Sequence, residues 1–144
     1  MMSSIDRSYL SGCLYFTANS LSRNITEMAK EEFAVTGLDP SYAHLTLLLC
    51  DKPGLSQNEL AQLMNLKPST ITRFIDKLQE KGLIERVQEG RNSLIYPTET
   101  GKEKSRLIRK ALKNLFRRYC DVLGEEFAIK LTADIHEANK IIAK

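Results

Sequence analysis

The chain has 144 residues, 42% of them hydrophobic and 27% charged, with a net charge of +3. That is one domain's worth of sequence, with a balance that excludes a disordered chain. The apolar run Leu47-Leu48-Leu49-Cys50 is far short of the roughly 20 residues of a membrane span. The opening MMSSIDRSYL lacks the basic and apolar regions of a signal peptide, so a cytoplasmic chain without a membrane partner is expected. Three scattered cysteines and two distant histidines stock neither a disulfide framework nor a zinc site. With no GxGxxG, Walker A, GxSxG or HExxH pattern, no enzyme, metal or cofactor is expected.

Helical spacing dominates. Apolar residues at Ile5, Tyr9, Cys13, Phe16, Leu21, Ile25, Met28 and Ala29 predict one long first helix from Ile5 to about Phe33, closed by Gly37. Asp39-Pro40 supplies an N-cap and a proline at the first helical position for a second helix to about Cys50. Lys52-Pro53-Gly54 breaks it. Ser56 and Glu59 have capping-box spacing and open a third helix with Leu60, Leu63 and Met64 inward. After the turn Asn65-Leu66-Lys67, Pro68 starts a fourth helix to about Lys81. Its inner face is Ile71, Phe74, Ile75 and Leu78, and Gly82 is its C′ residue.

Leu83–Val87 and Ser93–Tyr96 are strand-like around the turn residues Gln88–Asn92, a hairpin pattern. Pro97 ends the second strand, which suits an edge position. Thr98 caps a long fifth helix that tolerates Gly101 in its first turn and runs to about Leu123. Gly124 separates it from a last helix, Glu125 to Ala143.

Charge is uneven. Residues 1–51 carry a net −3, residues 65–95 a net +2, residues 102–118 a net +7 and residues 119–144 a net −2. A basic block between acidic ends suits a polyanion, although a solvated helix face has the same composition.

Residues 55–96 hold two short helices joined by a tight turn and followed at once by a hairpin, the order of a winged helix-turn-helix. In such proteins the second helix enters the major groove with its N-terminal residues at the bases. With the apolar positions turned to the core, Ser69, Thr70, Thr72, Arg73 and Asp76 face outward. These residue types suit close approach to base edges and phosphates.

The stretch from Gln57-Asn58-Glu59-Leu60-Ala61 to Gly82-Leu83-Ile84-Glu85-Arg86 resembles the MarR (multiple antibiotic resistance regulator) family of bacterial transcription factors, with its pattern "LA..L….ST.TR..D.L..KGL..R". Glu89-Gly90-Arg91, then Ile95, Thr98 and Gly101, resembles that family's wing signature. The resemblance covers nearly the whole chain. It implies a mostly α fold with a small β-hairpin wing: a winged helix-turn-helix DNA-binding region at 38–101, an N-terminal dimerisation helix at 1–37 and C-terminal dimerisation helices at 102–144. It implies a homodimeric regulator, a repressor, gripping a pseudo-palindromic operator in double-stranded DNA.

The recognition-helix set is Lys67, Pro68, Ser69, Thr70, Thr72, Arg73 and Lys77. The wing set is Glu89, Arg91 and Asn92, with Arg91 in the minor groove and Glu89 orienting it. Ser56, Gln57, Lys102, Lys104 and Arg106 are expected at phosphates. A small aromatic or phenolic effector is expected in a cleft near Tyr15, Asn19, Tyr42, His44 and Tyr119. The wing is about three residues shorter than is usual in the family. Gly90 takes a position often held by a second arginine, and Pro97 replaces the usual leucine.

Cys13 lies where peroxide-sensing repressors of the family carry their reactive thiol, which makes a thiol-based redox-sensing repressor one alternative. Met28 and Asp39 occupy the positions of the supporting tyrosines, so a core role suits Cys13 better. Cys50 and Cys120 fall on apolar faces and read as core. A winged-helix protein-interaction module without DNA binding is the alternative from another class.

Overall fold

The computed structural model describes residues 9–143. Contacts divide the chain into two compact units, Glu32–Lys113 and the pairing of Met1–Glu31 with Asn114–Lys144. Both divisions fall inside long helices.

Helix α1 spans Leu14–Phe33 and closes in a 3₁₀ turn, Ala34–Thr36. The expected start at Ile5 lies outside the described residues. Residues 9–12 form turns, so the described helix is shorter than the periodicity predicts. Ser11-Gly12 interrupts it, because glycine loses the most backbone freedom in a helix. Gly37 takes the left-handed turn at φ 74. The buried Thr36 hydroxyl donates to the Phe33 carbonyl at 2.6 Å and accepts the Leu38 N–H at 3.1 Å, partners for backbone groups that the helix end leaves open.

Within the unit Glu32–Lys113, α2 (Pro40–Asp51) starts on its proline and buries Ala43, Leu45, Thr46 and Leu49. Asp39 holds the N-cap backbone position without a side-chain cap bond, and Cys50 is half-buried rather than core. A two-residue strand, β1 (Leu55–Ser56), precedes α3 (Gln57–Met64). The capping box is complete: Glu59 N–H donates to Ser56 Oγ at 3.2 Å and Ser56 N–H donates to Glu59 Oε1 at 2.9 Å. Helix α3 buries Leu60 and Ala61. Leu63, expected inward, is 50% exposed, because a core stripe centred between residues 60 and 61 leaves residue 63 about a quarter-turn or more away. Asn65 then takes the left-handed conformation at φ 56, which asparagine tolerates.

Helix α4 (Pro68–Glu80) buries Ile71, Ile75 and Leu78, with Phe74 half-buried. Gly82 N–H donates to Gln79 O and Leu83 N–H donates to Leu78 O, both at 3.0 Å, the paired bonds of a Schellman ending. Strands β2 (Ile84–Glu89) and β3 (Asn92–Pro97) form an antiparallel hairpin, and β1 joins it in the order β1-β3-β2. Glu89 pairs with Asn92, so the loop is Gly90-Arg91 alone, shorter than the five turn residues expected. Gly90 has φ 63 and Arg91 does not have positive φ, which matches a type II′ turn. β3 is the central strand, not an edge. Proline is tolerated at its end because β1 faces only Ile95 and Leu94 and leaves Pro97 beyond the ladder.

Helix α5 spans Glu99–Leu123. Thr98 Oγ1 accepts Gly101 N–H at 3.1 Å and donates to Gly82 O at 2.6 Å. The core joins Phe33 and Leu38 to the buried faces of α2, α3 and α4, Leu83, Ile84 and Ile95 of the hairpin segment, and Ile108 and Ala111 of α5.

The other unit holds most of α1, the end of α5 and α6 (Glu125–Ile142). Ala29, Leu115, Cys120 and Ala128 are buried there, Phe116 meets Tyr119 edge to face at 5.6 Å, and Arg118 pairs with Glu31 at 2.6 Å. No helix among the described residues is long and apolar enough to cross a membrane.

Candidate nucleic-acid interface

Helix α4 buries Ile71, Ile75 and Leu78 on one face, which fixes its opposite face outward. Ser69, Arg73 and Lys77 recur at i, i+4 and i+8 along that outward face and are exposed, as are Lys67, Pro68 and Thr72, while Thr70 is half-buried. The Arg73 guanidinium lies 5.8 Å from the Phe74 ring centroid, and that ring packs at 4.5 Å on Tyr42. The aromatic pair thus steadies the stem of an exposed cation. Lys77 pairs with Glu80 at 3.7 Å.

Arg86 organises the site from β2. Its Nη2 meets Asp76 Oδ1 at 2.6 Å, its Nη1 donates to Gln79, and its Nε donates to Gln57 Oε1 at 3.2 Å. Gln57 Nε2 donates to Thr72 Oγ1 at 2.9 Å. One arginine therefore joins the wing strand to both helices of the helix-turn-helix. Arg86 ends the quoted motif, yet it is absent from the expected site residues. The signal was the strand's period of two, which puts residue 86 on the same face as buried Ile84.

At the wing, Glu89, Arg91 and Asn92 are exposed. Glu89 lies across the ladder from Asn92, and among the described residues no ion pair joins it to Arg91. Ser56 spends its hydroxyl oxygen on the capping box. On α5, Lys102 pairs with Glu99 at 3.4 Å, Lys104 is half-buried, and Arg106 is exposed. The expected DNA-binding positions all belong to the unit Glu32–Lys113.

The five expected effector residues are distributed over both units. Tyr42 and His44 belong to Glu32–Lys113, with His44 Nδ1 at 2.8 Å from Pro40 O. In the other unit Tyr15 is exposed and Asn19 donates to Tyr15 O at 2.7 Å. Tyr119 lines a cavity of about 220 Å³ with Leu21, Ile25, Leu123, Leu131 and Ile135 among its apolar walls. Burial raises the Tyr119 hydroxyl above the ordinary tyrosine range, against a lowering hydrogen bond from Thr132.

Cys13 sits half-buried just before α1, where its carbonyl accepts the Thr17 N–H at 3.0 Å. Cys120 is buried. Among the described residues no group of three or more His, Cys, Asp or Glu side chains could hold a metal ion.

Residues 40–92 match the model of the MarR family. YybA of Bacillus subtilis, named as an HTH-type transcriptional regulator, is 27% identical over 62% of this chain and 62% of its own length. The chain thus spans less than two thirds of that relative. The HTH-type transcriptional repressor MdtR of Bacillus subtilis is 25% identical over 87% of this chain and 84% of its own.

Among solved structures, the transcriptional repressor CouR bound to a 23-mer DNA duplex superposes with a TM-score of 0.84 at 20% identity, covering 96% of this chain and 97% of that one. CouR of Rhodococcus jostii is also solved with p-coumaroyl-CoA. The likeness in fold covers nearly the whole chain, while the family match runs from the start of α2 to the first residue of β3. Residues 40–92 thus match the MarR family model, and the fold they belong to is that of solved winged helix-turn-helix regulators.

Proposed function

We propose that the chain is a sequence-specific DNA-binding transcriptional regulator, a repressor, acting as a homodimer on a pseudo-palindromic operator. The observation that carries this reading is the row Ser69, Arg73 and Lys77 on a helix whose opposite face is locked in the core. A reading helix must present its donors without rolling, and α4 is held so by Ile71, Ile75 and Leu78 and by Arg86. Residues 38–101 read DNA in this scheme, and segments 1–37 and 102–144 dimerise. Arg91 at the type II′ tip reaches the adjacent minor groove, where narrow A·T-rich sequence attracts arginine.

Gel-shift titration of operator against scrambled duplex tests the reading. Arg73→Ala is expected to cost about 1–3 kcal/mol on the operator and to relax preference at one position per half-site. Arg106→Ala is expected to weaken both duplexes alike and to flatten the salt slope by roughly one charge. Equal losses on both duplexes for the two variants overturn α4 as the reading helix.

A small aromatic or phenolic effector completes the proposal. The apolar cavity beside Tyr119 and Thr132 supports it, as does the ligand-bound CouR fold. An effector acts through its difference in affinity between DNA-competent and incompetent states. Titration with phenolic acids that changes neither operator affinity nor Tyr119 fluorescence would refute this part.

A further inference from the structure

The hydrogen bonds behind α4 have a fixed direction, and that direction reaches the groove-facing side of the helix. An arginine side chain only donates. The Gln57 atom that meets Arg86 Nε at 3.2 Å must therefore be the amide oxygen, which turns the amide nitrogen toward Thr72 Oγ1 at 2.9 Å. The Thr72 oxygen must accept that bond. Its single proton then goes to the Pro68 carbonyl, 3.1 Å away. A free threonine hydroxyl serves as donor or acceptor as a base requires. Here the proton is committed inside the helix, and the exposed remainder of Thr72 is one oxygen lone pair and a methyl group.

We infer that Arg86, acting through Gln57, sets Thr72 as an acceptor-only group at the DNA interface. Thr72 then selects a base that offers a major-groove amino group, adenine or cytosine. This rests on the reading of α4 as the recognition helix. Guanine and thymine present acceptors at the corresponding edge, and two acceptors facing each other leave both without a proton. Arg86 and Gln57 are thus positioning residues: neither needs to touch the base whose identity they determine. Asp76 and Gln79 hold the guanidinium from the other side, which keeps its Nε aimed at Gln57.

The test starts from a random duplex pool enriched by the full-length wild-type protein. Each position of the selected half-site is then replaced by all four bases, and affinities are read by fluorescence anisotropy. The expected result is one position where adenine or cytosine is preferred over guanine and thymine by about two- to tenfold, the range of one net hydrogen bond.

Thr72→Val keeps the shape and Gln57→Leu frees the hydroxyl. Each should erase the preference at that position and spare the others, and the double variant should do no more than either. Thr72→Ser should retain it. The inference is overturned if the position sensitive to Thr72→Val prefers guanine or thymine, if no position responds to Thr72→Val, or if Gln57→Leu leaves the preference intact. A wild-type protein that enriches no sequence overturns the recognition assignment and this inference together. Enrichment without such a position overturns only the inference.

Discussion

The carbonyl of Leu83 decides what residue 101 can be. A Cβ built on Gly101 would lie 2.2 Å from that oxygen, and the same oxygen accepts the Thr98 N–H at 3.0 Å. Neither backbone can give way without breaking the junction between the hairpin and α5. Gly101→Ala is expected to destabilise by about 1–3 kcal/mol or more, by the mechanism of overpacking, read as a lower urea midpoint. The sequence shows a glycine in a first helical turn, where it is tolerated. The contact shows that it is required.

Cys50 follows the same local logic. Burial, aided by Asp51, pushes its thiol above the ordinary 9.0, against the lowering effects of Ser105, Arg109 and Lys102. A thiol whose folded pKa is raised contributes stability that is full below the unfolded pKa and is lost as pH rises through the folded one. Iodoacetamide labelling of Cys50 in the folded protein should therefore show a midpoint above that of the denatured chain. Equal midpoints would contradict the burial argument.

At the scale of elements, α3 is eight residues long, too short to persist on propensity alone. Its capping box was legible from Ser56 and Glu59 because that signal is local. Ser56→Ala is expected to cost about 0.5–2 kcal/mol, measured by equilibrium unfolding. Two-residue β1 was not legible, because Leu55 and Ser56 become a strand only when Ile95 and Leu94 lie beside them. The hairpin turn was read too long for a related reason: the ladder runs up to Glu89 and Asn92, residues whose own preferences favour a loop.

Helix α5 divides cleanly between Ser105, Ile108 and Ala111, which are buried, and Arg106, Lys110 and Lys113, which are exposed on the opposite face. Replacing those three cations with glutamine should change stability by less than about 0.5 kcal/mol. If the stripe meets phosphates, the same variant lowers the salt slope of DNA binding by up to about three charges.

For the whole molecule, the proposed homodimer is motivated by exposed apolar residues. Leu14 and Tyr15 at the start of α1, Val122 near the end of α5, and Phe127, Ile129, Ile141 and Ile142 of α6 are all at least half exposed. Such surface on single helices is rare in a monomer unless a partner covers it. Sedimentation equilibrium at micromolar concentration should give about twice the 16.3 kDa chain mass. A stable folded monomer would refute the homodimer and leave one reading helix where a palindrome needs two.

The order of helices, the helix-turn-helix with its wing and the exposure of Ser69, Thr72, Arg73 and Asp76 on α4 were determined by the sequence alone, whereas Thr70, read as outward, is half-buried. Each depends on short-range signals: apolar spacing of 3.6, proline at a first helical position, glycine at a C′ position. Tertiary structure decided what joins residues distant in the chain. It seated Arg86 between Gln57, Asp76 and Gln79, made β3 central, turned Leu63 outward and required glycine at residue 101. It also distributed the expected effector residues over both units. Periodicity assigns a side chain to a face, but the partner on that face is supplied by another element, whose position depends on how the whole core closes.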